Sequence, residues 1–187
     1  MRGAWLLPAG GVVATAILAP ITVYAFSEDE TPAWIRNTES LHAWADDVSG
    51  GDPYHWFGRY FVLVYLAGLG GLLLRRREHR PVRVVMVALG AGALADLGAY
   101  WLSDSSLGMV AGIVEFLNLP VLLGTVTFAG WRGRRAGAPV ASWAPALLLT
   151  VPVALIGLTA FNYWPHGPML GVLVGVAGLS AGRPVPP

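Results

Sequence analysis

Cysteine is absent from the 187-residue chain, which excludes disulfides, thiolate catalysis and zinc–thiolate sites. Lysine is absent too, because all 12 basic side chains are arginine. That removes a retinal Schiff base and any lysine nucleophile. Arginine codons are GC-rich, so this usage predicts a high-GC bacterial source. Charge of either sign is scarce, at 12% of residues, against about 25% in an average soluble domain. There is no P-loop, no GxSxG and no dinucleotide fingerprint; Gly90-Ala91-Gly92 sits inside an apolar run and reads as packing. No cofactor and no nucleic-acid partner is expected. A metal site would have to draw on His55, His166, Asp96 and Glu115, which show no ligand-spaced motif, so none is expected either.

What the chain has in quantity is hydrocarbon. Hydrophobic residues make up 55% and mean hydropathy is +0.59. Long apolar runs recur, which predicts an all-α integral membrane protein forming one polytopic domain over residues 1–187. The expected architecture is a six-transmembrane-helix bundle with spans at about 5–26, 54–74, 84–103, 107–129, 143–161 and 168–182. The first run also fits a signal peptide with a small-residue site at Val23-Tyr24-Ala25, but it is longer than a usual signal core and is read as a retained helix.

Between the first two spans lies an acidic stretch, Ser27 to Asp52. Within it Thr31-Pro32 resembles a helix start. Trp34, Leu41, Ala45 and Val48, with Trp44 beside them, predict a short amphipathic extracytoplasmic helix lying on the membrane surface; an irregular loop with interfacial tryptophans is the alternative. Asp52-Pro53 is an N-cap followed by a first-turn proline and opens the second span.

The arginines set the topology. Arg2, the Arg75–Arg83 run, Arg132–Arg135 and Arg183 fall on one side of six spans, which the positive-inside rule makes cytoplasmic, with both termini there, in a cell (plasma) membrane. In the last span Gly171, Gly175, Gly178 and Gly182 form a small-residue stripe suited to close helix approach, through which a homodimer is expected.

Two acids stand inside spans, Asp96 and Glu115. Charge within a membrane is costly and is by default a functional-site signal. Both lie roughly 10–12 Å below the Ser103–Ser106 turn at about 1.5 Å rise per residue. The candidate catalytic pair is therefore Asp96 and Glu115, sharing a polar pocket in the outward half of the bilayer. Candidate binding residues around it are His55 and Arg59 (i, i+4 on one face), Tyr100, Asn118, Asn162, Trp164 and His166. Pro120 removes an amide donor and frees the carbonyl of Phe116; broken helices at membrane depth often line cavities.

Two carboxyls in a low-dielectric pocket cannot both carry charge cheaply, and a neutral acid beside a charged one is a general acid–base arrangement. With apolar and aromatic surroundings, the pair predicts a protein that binds or acts on a hydrophobic, isoprenoid- or lipid-like small molecule, such as a protonation-driven cyclase or isomerase. Membrane lipids are the other expected partner. The alternatives are a proton-coupled transporter subunit, or a non-catalytic membrane regulator or assembly partner such as a membrane anti-sigma factor.

Overall fold

The computed structural model describes residues 3–26, 33, 37–75 and 80–181. Arg2, the Thr31-Pro32 helix start, Trp34, Arg76–Arg77, Gly182 and Arg183 lie outside these residues. Among the described residues every regular element is helical.

The helices are α1 (Leu6–Phe26), α2 (Glu39–Ser49), α3 (Pro53–Gly58), α4 (Val62–Leu74), α5 (Arg80–Trp101), α6 (Ser106–Arg135), α7 (Val140–Ala144), α8 (Thr150–Phe161) and α9 (His166–Ala181). Among the described residues five stretches are long and apolar enough to cross a membrane: Leu6–Ala25, Pro53–Leu74, Arg80–Trp101, Ser106–Arg135 and Val140–Phe161. The sixth apolar stretch, α9, has only 16 residues. Two helices, α5 and α6, run further into the arginine-rich ends than hydropathy suggests. α6 continues to Arg135 with Arg132, Arg134 and Arg135 in its last turn, where cations favour the helix C-terminus.

α9 is the centre of the molecule. His166 to Met169, Gly171 to Leu173, Gly175, Val176 and Gly178 to Ser180 are all buried. Its glycines explain how it fits. A Cβ at Gly171 would lie 2.1 Å from the Thr150 carbonyl oxygen, one at Gly175 2.2 Å from Thr150 Oγ1, and one at Gly178 2.7 Å from the Pro145 ring. At the other end of this pair, Gly157 of α8 and Gly167 of α9 meet backbone to backbone. The close approach that the glycine stripe permits is thus made within the chain, and these three positions of the stripe are covered.

Around α9 the core is hydrocarbon from α4, α5 and α6, with Phe61, Tyr65, Leu89, Leu119, Leu122, Val126, Met169, Leu173 and Val176 in one cluster. α5 and α6 form a hairpin closed at Ser105, whose hydroxyl accepts from the Gly108 amide at 3.1 Å and caps α6. Pro145 and Pro152 bracket an irregular stretch of the fifth candidate span. Residues Pro145–Leu149 form a π turn, and the Thr150 hydroxyl donates back to the Ala146 carbonyl at 3.0 Å.

The acidic stretch carries a helix, α2, which starts after Thr38. Its protein-facing side includes His42 and Ala45, while Val48 and Trp44, from the face expected to meet the membrane, are exposed. Specific partners hold the protein-facing side: the His42 ring stacks on Tyr24 at 3.5 Å between centroids, and Ala45 packs with Ile21 and Phe57. α2 rests on the ends of α1 and α3.

Candidate functional site

The buried stripe of α5 runs Val82, Val85, Leu89, Gly92, Asp96, Tyr100, and that of α6 runs Gly108, Glu115, Leu119, Leu122, Val126. Both follow the three-to-four-residue spacing of one helix face. Each acid occupies a core position on its stripe, and the hairpin brings the two stripes together. Asp96 is 0% exposed and Glu115 3% exposed.

The carboxyls of Asp96 and Glu115 are close enough to act on each other electrostatically, and among the described residues neither oxygen of Asp96 has a hydrogen-bond partner. Two carboxylates so placed would repel, and one proton held by the pair relieves that repulsion. Glu115 is held by Tyr65, whose hydroxyl donates to its Oε1 at 3.0 Å. Tyr65 is fully buried and its ring lies across Gly92, where a Cβ would come within 2.4 Å of the ring. Glycine at 92 therefore makes room for the tyrosine that holds Glu115.

A second polar chain runs beside the first. Tyr100 Oη and His166 Nε2 are 3.3 Å apart, and His166 Nδ1 and Thr22 Oγ1 are 3.2 Å apart. The Thr22 hydroxyl also lies 3.1 Å from the Leu18 and Ala19 carbonyls of its own helix. A hydroxyl has one proton to give. With that proton directed to a carbonyl, Thr22 Oγ1 accepts from His166 Nδ1, and Nε2 is left to accept from Tyr100. The direction of the whole chain follows from the threonine. Glycine again makes space, since the Tyr100 ring lies where a Gly58 Cβ would be. Tyr54 and Tyr163 complete the group, their hydroxyls 3.2 Å apart. Burial, and next the Tyr54 phenol beside it, push the Tyr163 phenol above its ordinary range, so it stays a neutral O–H group.

A pocket of about 150 Å³ opens among these residues, lined by Tyr54, Tyr100, Glu115, Phe116, Tyr163 and Trp164, with Ala99, Gly112 and Pro165. Among the described residues Glu115 is the only carboxyl that lines it, and Asp96 does not. Its outer wall is fixed by a helix defect. Pro120 cannot donate to the carbonyl of Phe116, and the Trp164 indole Nε1 donates to that carbonyl instead, at 3.3 Å.

The structure therefore brings together Asp96, Glu115, Tyr100, His166 and Trp164. It sets four other candidates apart. His55 Nδ1 contacts the Asp52 carboxylate at 3.0 Å at the start of α3, where Asp52 also caps the His55 amide. Arg59 pairs with neither acid and stands over the Trp101 ring at 5.1 Å. Asn118 donates to the Ala88 carbonyl at 2.8 Å, tying α6 to α5. Asn162 is the exposed left-handed residue that ends α8, with φ 47°. Residues that sequence reasoning passed over as site residues are Thr22, Tyr54, Tyr65, Phe116 and Tyr163. Tyr65 carried a usable signal, because a tyrosine inside an apolar run must find a partner for its hydroxyl. Among the described residues no three His, Asp or Glu side chains gather as a metal site.

No protein-family model, no curated protein and no solved structure matches this chain.

Proposed function

We propose that this is a six-span membrane protein, with α9 as the sixth span, whose Glu115–Asp96 pair is the proton donor and acceptor for an unsaturated, isoprenoid-like compound. The positive-inside rule supports the orientation: Arg75, Arg80, Arg83, Arg132, Arg134 and Arg135 flank helix ends opposite the pocket, so the pocket faces outward and both termini are cytoplasmic.

The observation that carries the reading is a single lining carboxyl, with a second buried carboxyl near it, at the wall of a pocket that also carries five aromatic side chains, Tyr54, Tyr100, Phe116, Tyr163 and Trp164. Protonating an alkene breaks the Glu115 O–H bond and forms a C–H bond, leaving a carbocation. Aromatic faces stabilise a cation. Loss of a proton from a neighbouring carbon back to the carboxyl pair gives the isomerised alkene and restores the pair. At about 150 Å³ the pocket falls below the ~300–1,000 Å³ of ordinary small-molecule sites. It suits one terminal unit of a longer chain whose remainder lies in lipid. This favours isomerisation over cyclisation, which needs the whole chain enclosed. Proton transport fits less well, because Leu89, Leu119, Leu122, Val126 and Leu173 fill the core below the pair.

The test uses solvent deuterium. Protein reconstituted in vesicles is incubated in D₂O with a panel of linear isoprenoid alkenes, and products are weighed by mass spectrometry. Carbon-bound deuterium is expected with wild type, and its loss with Glu115→Gln and with Asp96→Asn. No incorporation into any member of the panel, or incorporation that survives both substitutions, refutes the acid–base role.

A further inference from the structure

A second recess lies at the opposite end of the molecule. It has a volume of about 260 Å³ and is formed where the start of α5, the end of α6, the start of α7 and the end of α9 diverge. Its floor is apolar, with Val82, Ala129, Trp143 and Leu179, and its rim carries Arg132 and Arg135. Among the described residues no carboxylate lines it and neither arginine makes an ion pair. Arg135 is held in place by its guanidinium, 4.1 Å from the centre of the Trp131 ring.

We propose that this recess binds the headgroup of an anionic glycerophospholipid, the phosphodiester between Arg132 and Arg135 and the upper part of an acyl chain on Val82, Trp143 and Leu179. Three features converge on that occupant. The site sets two cations, neither ion-paired among the described residues, beside an apolar floor, so it matches a molecule that is anionic at one end and apolar at the other. Guanidinium groups are suited to phosphate because their donors form a rigid fork. The recess stands at the arginine-flanked ends of apolar helices, the level at which lipid headgroups lie. A soluble phosphate would use the arginines and leave the floor empty.

Glycine at 133 offers a way to close the recess without touching charge. A Cβ there meets Trp143 Cβ at 3.6 Å and Ala138 Cβ at 3.7 Å, ordinary contacts, so a side chain can be added that grows into the open volume.

The experiment is native mass spectrometry of the full chain released from nanodiscs of equal phosphatidylglycerol and phosphatidylcholine. Wild type is expected to retain one phosphatidylglycerol in preference to phosphatidylcholine. Arg132→Gln with Arg135→Gln should weaken that retention about 30-fold, which is about 2 kcal/mol at about 1.4 kcal/mol per decade, from about 1 kcal/mol for each arginine near a lipid surface. Gly133→Leu should abolish it with every charge intact. Arg134→Gln, whose guanidinium stands over Trp143 at 5.4 Å and does not line the recess, should change it less than about 3-fold, below the single-arginine contribution. Equal retention of the two lipids overturns the proposal. So does an equal loss in Arg134→Gln and the double variant, which marks a general basic surface, and so does displacement of the lipid by millimolar inorganic phosphate, which marks a soluble ligand.

Discussion

Replacing Gly92 by alanine tests the geometry on which the acid site rests. The added Cβ would lie 2.4 Å and 2.8 Å from two carbons of the Tyr65 ring and 2.9 Å from Asn118 Nδ2. Ordinary carbon contacts are about 3.5–4.0 Å, so the ring must retreat by more than about 1 Å. It has little freedom to do so, being fully buried and edge-on to Phe61 at 6.0 Å. Overpacking of this kind costs about 1–3 kcal/mol. If the ring moves, its hydroxyl leaves Glu115, and a hydrogen bond between neutral groups is worth about 0.5–1.5 kcal/mol. The control is two residues away on the same helix. Gly90 has nothing within 4 Å of a built Cβ, so Gly90→Ala should be neutral, or stabilising by up to about 1 kcal/mol through helix propensity. Unfolding in mixed micelles by increasing SDS, followed by far-ultraviolet circular dichroism, measures both. A double-mutant cycle with Tyr65→Leu completes it: Gly92→Ala should cost much less when the ring is gone. If Gly92→Ala proves as harmless as Gly90→Ala, Tyr65 is not wedged against this glycine and the account of Glu115 fails.

The other expectations concern the walls of the pocket. Trp164→Phe removes the indole donor from the Phe116 carbonyl and should cost about 1 kcal/mol; in a Pro120→Ala background, where an amide can serve that carbonyl, the same unfolding titration should show a smaller loss. Nitrogen-15 shifts of His166 should report a proton on Nδ1 and none on Nε2, and Thr22→Val should remove the preference; a proton on Nε2 in wild type would refute the chain direction derived from Thr22. Tyr163 should make stability fall at high pH. The unfolded phenol ionises near about pH 10 while the folded one, raised by burial, does not, so its contribution is full below about pH 10 and declines above it. Tyr163→Phe should flatten that decline in pH-dependent unfolding.

The apolar runs and the two acids were legible because each has a strong local signature, and so was the freed carbonyl of Phe116. What could not be read was which polar residue meets which. His55 and Arg59 share a helix face by spacing, but Asp52 captures one and Trp101 the other. Asn118 looks like a neighbour of Glu115 by register, but its amide is taken by the Ala88 carbonyl. These outcomes depend on competing partners brought in from other parts of the chain. The tyrosines were missed for the same reason. Their hydroxyls lie far from their backbones, and the glycines that admit the rings of Tyr100 and Tyr65, Gly58 and Gly92, are on other helices. That α2 also meets the protein through a histidine was not legible, because hydrophobicity cannot announce a histidine stacked on a tyrosine.

A helix enclosed for most of its length by its own chain meets little bilayer directly. α9 is such a pillar, and its two ends touch the two recesses, through His166 beside Tyr100 and through Leu179. The run from His166 to Leu179 sets a separation of roughly 20 Å at about 1.5 Å per residue. A thinner or thicker membrane can tilt the outer helices, but the distance between the acidic chamber and the basic one is a property of the rod alone.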